Sequence, residues 1–420
     1  MSSTIAVEDL RVGMFIQLDG GWLSHPFSLS SFRVASLDQI ATLRGLGLAR
    51  VRWSPEKSDL PAATAKAAGG QGLPAVSPAH SPAKAAAQQR RQDLQIQREA
   101  SQRCERQHAE AARAWREASD LVGTRPQDAG RSAEQLTRAI LGKMLGGDDI
   151  GVRLVAGGSD RAAAHALNVG VISLLVARTI GFAEPELLDL GVGALLHDVG
   201  KCEVADRFHH AEAGFSASEL ATYRDHVAKG VALGQRMQLT AGALKVLAQH
   251  HEQQDGSGFP LKLGGERITM AARVVALVNR YDNLCNPQTR TLALTPHEAV
   301  SVLFAQGRQR FDSAVLNAFI RMMGVYPAGS LVQLTDDRYA MVVGVNSLRP
   351  LKPRVLVHEP KLPRSEALLL DLEQLPNLGI RRSLPAAKLP AAAIDYLDPQ
   401  LRVAYYFEPL LQPVLEEAAA

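Results

Sequence analysis

The stretch LLDLGVGALLHDVGK at 187–201 decides how this chain is read. Its apolar residues keep helical spacing from Leu187 to Leu196, and His197 and Asp198 follow where Gly200 can end the helix in a left-handed conformation. An imidazole and a carboxylate side by side at a helix end can face one cavity. Nitrogen and oxygen donors together suit Fe, Mn, Zn or Ni, and a single carboxylate can bridge two ions. Downstream, QHHEQQDGSGFP at 249–260 repeats the arrangement: His250 and His251 close an apolar helix over 242–249 and lead into a loop where Gly256 and Gly258 let backbone approach a ligand. His165 lies on an apolar helix and His226 on a helix over 217–235. A lone histidine is more often half-buried and satisfied by one hydrogen bond. Seven of the twelve histidines fall between 165 and 251, however, and that clustering makes His165, His197, Asp198, His226, His250 and His251 one candidate metal face.

The order of those residues, followed by GSGFP, resembles the HD-GYP family, a branch of the HD phosphohydrolase superfamily. The likeness is carried by HDVGK at 197–201, HHEQQDGSGFP at 250–260, FD at 311–312 and GVYPAGS at 324–330, and it spans roughly 160–327. Phe259 stands where the family signature has tyrosine, which keeps the ring and loses a hydroxyl. The resemblance implies a helical HD-type domain that hydrolyses cyclic di-GMP to linear pGpG, to GMP, or to both, in bacterial second-messenger signalling. It implies two divalent ions, Fe or Mn before Zn or Ni, with His165, His197 and Asp198 around the first and Asp198, His226, His250 and His251 around the second. Asp198 and Lys201 are then the catalytic pair, the lysine offsetting charge on the phosphoryl oxygens. Lys201, Gly256, Gly258, Phe259 and Pro260 are placed against the substrate.

Three further positions depart from the family pattern. The aspartate ligand of a run resembling ADVYDAL falls on VNRYDNL at 278–284, so Asn279 takes the ligand position and Asp282 matches the second aspartate. Asparagine offers an oxygen without charge and holds a hard ion more weakly. The glutamate through which some members bind a third ion is Arg161 here, which leaves two ions. An arginine that grips the nucleotide phosphate in relatives aligns with Gln288, and Arg290 is the nearby substitute. A second reading therefore stands beside the enzyme: a weakened HD-GYP module that acts as a nucleotide sensor or a docking domain. Among lesser candidates, His209 and His210 read as surface residues, Glu252 as a partner of a histidine or a solvated carboxylate, and Asp255 as a brace of the glycine loop.

Length and composition set the frame. At 420 residues the chain exceeds one ordinary core. Lysine and arginine number 46 against 43 acidic residues, so no electrostatic footprint points to DNA or to a membrane surface. Cys104, Cys202 and Cys285 are odd in number and far apart, which fits a reducing compartment, and the N-terminus lacks signal-peptide blocks; both point to a cytoplasmic protein. The expected partners are cyclic di-GMP, other signalling proteins such as diguanylate cyclases, and a second copy of the chain. The expected architecture is mainly α: a small α+β module over 1–60, a low-complexity linker over 61–83, a long exposed helix over 84–130, the helical metal domain over 131–328, and a β-rich region over 329–420. Residues 5–57 also resemble, through DLRVGM at 9–14 and WLSHPF at 22–27, the small domain of unknown function often found ahead of HD-GYP domains.

Overall fold

The computed structural model describes residues 3–18, 31–46, 48–59, 82–146, 150–156, 160–210, 214–346 and 349–409. All but the last two residues of the expected linker, and the WLSHPF motif, lie outside them. The chain divides into two compact units, Met1–Gln95 and Ile96–Ala420.

In the first unit, β1 (Ser3–Ala6), β2 (Phe15–Gln17), β3 (Ser31–Arg33) and β4 (Arg50–Trp53) form an antiparallel sheet of order β1-β4-β2-β3. Helix α1 (Leu37–Gly45) starts where the Ser36 side chain accepts a hydrogen bond from the Gln39 amide. Ile16, Val34, Leu43 and Val51 form the buried centre of this module.

Helix α2 (Pro82–Leu121) begins in the first unit, and its part from Ile96 onward belongs to the second. The exposed helix expected over 84–130 is corrected in two ways. It breaks at Gly123, and α3 (Pro126–Met144) starts with proline at its first position. It is also no solvated spacer in the second unit, because Cys104, Gln107, His108, Ala111 and Ala118 are buried. The Gln97 side chain accepts from the Leu369 amide and donates to the Ala367 carbonyl, and the Trp115 indole donates to the Leu195 carbonyl at 2.7 Å. The buried face is built of small and polar side chains, so no apolar stripe announces it.

The helical domain contains α4 (Arg161–Ile180), α5 (Glu184–Leu196), α6 (Ala217–Arg236), α7 (Ala241–Gln249), α8 (Met270–Cys285), α9 (Pro296–Arg310) and α10 (Ser313–Met323). Helix α4 is long and apolar enough to cross a membrane, yet 72% of its apolar window is buried inside the domain. It is apolar on nearly every side because α5, α8 and α10 all pack against it.

The remaining strands are β5 (Ile150–Val155), β6 (Leu331–Leu334), β7 (Tyr339–Asn346), β8 (Arg354–Val357), β9 (Leu369–Asp371), β10 (Ile380–Ser383) and β11 (Ala404–Pro409), with α11 (Ala391–Leu397) packed on them. They form a seven-stranded antiparallel sheet whose main path is β10-β6-β7-β5-β11, with β8 and β9 branching from β7. The β-rich region expected over 329–420 thus recruits a strand from before the helices. Ala404 pairs with Val155 and Glu408 with Gly151. Glu408 is buried between Arg153, at 2.8 Å, and Arg354.

Candidate metal centre

Four elements bring the six expected residues together. His165 sits in the second turn of α4, whose start is fixed by the Asp160 carboxylate accepting from the Ala163 amide. His197 follows the last residue of α5, and Asp198 opens a short 3-10 turn over Val199–Glu203. His226 lies within α6, and His250 and His251 follow the end of α7. Gly200 does not take the left-handed conformation expected of it. It is needed for closeness instead: a Cβ there would lie 2.0 Å from the His226 carbonyl oxygen and 2.4 Å from the Gly230 nitrogen. The absence of a side chain lets the His-Asp turn rest directly on α6.

Asp198 divides the cluster. Its Oδ2 lies 3.6 Å from His165 Nε2 and 3.4 Å from His197 Nε2, while its Oδ1 lies 3.5 Å from His226 Nε2 and 3.9 Å from His250 Nε2. His251 completes the second group, with all donor atoms of each group within 4.8 Å of one another. The tautomers follow from the outer bonds. Nδ1 of His197, His226 and His250 each donates to the carbonyl three residues earlier, at 2.8, 2.6 and 2.9 Å. A carbonyl can only accept, so these rings carry their hydrogen on Nδ1 and turn Nε2 lone pairs inward. His165 and His197 meet Nε2 to Nε2 at 3.1 Å, and His226 and His250 at 3.5 Å.

His165 is held differently. Its Nδ1 donates to Asp282 Oδ2 at 2.6 Å, and Asp282 Oδ1 accepts from Asn168 at 2.7 Å and Asn286 at 2.9 Å. Both asparagines also donate to the Val403 carbonyl, beside β11, while Asn168 Oδ1 accepts from the Tyr405 amide. The metal face is therefore braced by β11 and the residue that leads into it. Burial pushes His165 down, but Asp198 and Asp282 outweigh it and raise this ring to about 9. Burial, reinforced by neighbouring histidines, holds His250 and His251 well below the ordinary value. Burial acts to raise Asp198, but Lys201, whose Nζ donates to Oδ2 at 2.6 Å, and His197 overcome it and keep the carboxyl well below its usual range.

These residues fit divalent cations. The inward Nε2 lone pairs of His226 and His250, 3.5 Å apart, repel unless a positive charge lies between them, and Asp198 Oδ1 and His251 Nε2 are buried with no hydrogen-bond partner among the described residues. Histidine nitrogens with one shared carboxylate are a donor set for first-row transition ions.

Two cavities open on this face. The larger, about 650 Å³, is lined by Asp198, Lys201, His250, His251, Phe259 and Asn279. The smaller, about 380 Å³, lies on the His165 and His197 side. Asn279 is buried on α8, with its Oδ1 accepting from Asn283 at 2.6 Å. Phe259 stacks on His251 at 4.4 Å between ring centres. Gly256, with φ +76°, and Gly258, whose Cβ would lie 2.5 Å from the His251 carbonyl oxygen, shape the loop, and neither they nor Pro260 line a cavity. Arg290 is exposed and lines neither. Glu252 partners no histidine: it is buried and accepts from the Leu261 and Leu263 amides at 2.7 and 2.9 Å. Asp255 braces the loop as expected, accepting from the Ser257 amide at 2.9 Å. Sequence reasoning missed the bracing role of Asp282 and missed Tyr223, which lines the larger cavity, while His210, read from the sequence as a surface residue, is half-buried and lines both cavities. Tyr223 was signalled only by lying three residues before His226.

Comparison with known proteins agrees with this geometry. Family profiles match a domain of unknown function over residues 2–132 and an HD domain over 153–315. The chain is 30% identical over 362 residues, 85% of each chain, to the cyclic di-GMP phosphodiesterase PA4108 of Pseudomonas aeruginosa. The chain belongs to the HD-GYP family of HD phosphohydrolases. Shorter matches of this HD-GYP protein include the response regulator RpfG of Xanthomonas campestris, a cyclic di-GMP phosphodiesterase, at 33% identity over 35% of this chain and 39% of that one. A 3'3'-cGAMP-specific phosphodiesterase 2 of Vibrio cholerae is 29% identical over 39% of this chain and 31% of that one. The HD-GYP chain is a metal-dependent phosphodiesterase that acts on a cyclic nucleotide. Its N-terminal family match runs through α2 to residue 132, well past the boundary expected at 60.

Proposed function

We propose that this chain hydrolyses cyclic di-GMP, to linear pGpG, to GMP or to both, with two Fe or Mn ions. The observation that carries the reading is Asp198, which presents one oxygen to each of two groups of inward-facing histidine nitrogens. The activity of the relative that matches along 85% of its length supports the substrate. His165, His197 and Asp198 would hold one ion, with Asn279 as a neutral donor; Asp198, His226, His250 and His251 would hold the other. Bound divalent ions supply Lewis acidity toward phosphoryl oxygens and lower the pKa of coordinated water.

The rest is work of the chain's own side chains. The Nδ1 bonds of the histidines fix their rings before substrate arrives, so no reorganisation is needed. Lys201, held on Asp198 and lining both cavities, places a positive charge where phosphoryl oxygens gather charge during cleavage. Phe259, stacked on His251, and Tyr223 wall the larger cavity with rings and limit water. The test is turnover by protein loaded with Mn or with anaerobic Fe, with products separated by chromatography. Linear pGpG, GMP or both are expected, and hydrolysis of 3'3'-cGAMP but not of cyclic di-GMP would reassign the substrate.

One observation favours the sensor reading: the Asn279 amide is uncharged and its oxygen is already engaged by Asn283. Asn279→Asp separates the two. A gain of tenfold or more in metal affinity, on the scale of roughly 10–100-fold for a changed ligand environment, together with a matching rise in hydrolysis, shows that Asn279 weakens the native site toward a sensing role. Wild-type turnover that the substitution barely alters identifies it as the enzyme.

A further inference from the structure

We propose that Arg402 and Arg161 form an anion clamp on the His165 side of the metal face, which holds the second phosphate of the cyclic dinucleotide while the first lies over Asp198. The smaller cavity is lined by His165, His197 and Asp198, and also by Arg161 from the first turn of α4 and Arg402 from the bend before β11. Arg402 comes from outside residues 153–315, the part matched as an HD domain. Its Nε is buried and has no hydrogen-bond partner among the described residues. Among the described residues Arg161 makes one hydrogen bond, from Nη2 to the Asn286 carbonyl at 3.3 Å.

Neither guanidinium has an ion pair among the described residues, and the two carboxylates that line the cavity are already committed. Asp198 serves Lys201 and the histidines, and Asp282 serves His165, Asn168 and Asn286. Burial lowers Arg161 and the charge of Arg402 lowers it further, against a smaller opposing effect of Asp282, so the two cations repel across a cavity whose carboxylates are engaged elsewhere. A guanidinium with unused donors in a partly dry site is costly unless an anion meets it, and its planar fork matches phosphate oxygens. The ligand is assigned by continuity. Asp198, Lys201, His210, Asn283 and Gln288 line both cavities, so one molecule with two phosphates can reach the metal face and the arginines together. A diester with a single phosphate can satisfy only one of them.

The clamp rests on the cyclic di-GMP reading, and the experiment keeps the two apart. Full-length Mn-loaded wild type, Arg402→Ala, Arg402→Lys and Arg161→Ala are compared for KM and kcat on cyclic di-GMP and on bis(p-nitrophenyl) phosphate. Equilibrium binding of cyclic di-GMP to chelator-treated protein is measured by calorimetry. Losing one charge-assisted phosphate contact weakens binding by roughly 10–100-fold. Arg402→Ala should therefore weaken cyclic di-GMP binding by that factor and raise its KM at least tenfold more than the KM of the one-phosphate diester, with partial recovery in Arg402→Lys. Arg161→Ala carries the same comparison if Arg402→Ala loses metal or melts early. Binding by both alanine variants within about twofold of wild type, well below the loss expected for one contact, overturns the clamp. A wild type that cleaves the one-phosphate diester but neither binds nor cleaves cyclic di-GMP overturns the substrate reading, and the clamp with it.

Discussion

Asp282→Asn removes one atom's worth of charge and should release an ion without touching a ligand. The carboxylate of Asp282 accepts three hydrogen bonds, one from His165 Nδ1 at 2.6 Å and two from Asn168 and Asn286 at 2.7 and 2.9 Å. An amide has one accepting oxygen and one donating nitrogen. With the oxygen toward His165, the NH2 group faces two donors; flipped, it faces His165 Nδ1 and drives that ring to the tautomer whose Nε2 carries hydrogen and cannot bind metal. Partners of this kind are worth roughly 10–100-fold in metal affinity, about 1.4–2.8 kcal/mol. A buried donor left without an acceptor costs about 1–3 kcal/mol of stability in addition. The assay is elemental analysis of Mn-loaded wild type and variant after dialysis against graded chelator, with melting followed by circular dichroism. The variant should lose the ion on the His165 side at a chelator strength that leaves the His226 side loaded. Full metal content at wild-type affinity with unchanged melting would refute the argument that Asp282 fixes the His165 ring.

Two more outcomes follow from the packing. Gly200→Ala places a Cβ 2.0 Å from the His226 carbonyl oxygen, and backbone cannot yield as a side chain can. Overpacking typically costs about 1–3 kcal/mol, so melting should fall by on the order of 5 °C; wild-type melting and metal content would show that the turn does not rest on α6. His108 is buried, with its pKa lowered by burial to about 4. The unfolded chain takes up that proton near 6.5, so the stability is present above pH 6.5 and is lost as pH falls toward 4, by about 2 kcal/mol at pH 5. Urea midpoints of wild type and His108→Gln, measured on either side of this window, should differ in pH dependence by that amount, and parallel behaviour would remove His108 as the cause.

The metal face was legible because its donors are uncommon residues in adjacent pairs at helix ends, and the resemblance fixed their order. The mainly helical architecture with flanking β-structure was legible for the same local reason, since α4 to α10 keep helical periodicity. What escaped depends on distant partners. Nothing near Ile150 says that its strand pairs with Pro409, and nothing in the polarity of Gln97, Cys104 or His108 says that this side of α2 is covered. Asp282 could be counted into a family run, but its work on His165 needs α4 and α8 side by side. Gly200 was read as a conformational device where steric contact decides.

The brace of β11 behind Asp282 also sets an order of construction. Asn168 and the Val403 carbonyl it binds are 235 residues apart in sequence. At ~5–20 residues per second of synthesis, the His165 ligand emerges on the order of ten seconds or more before the backbone that steadies it. A chain stopped short of β11 would carry all six metal-face residues and still lack the support that fixes one of them.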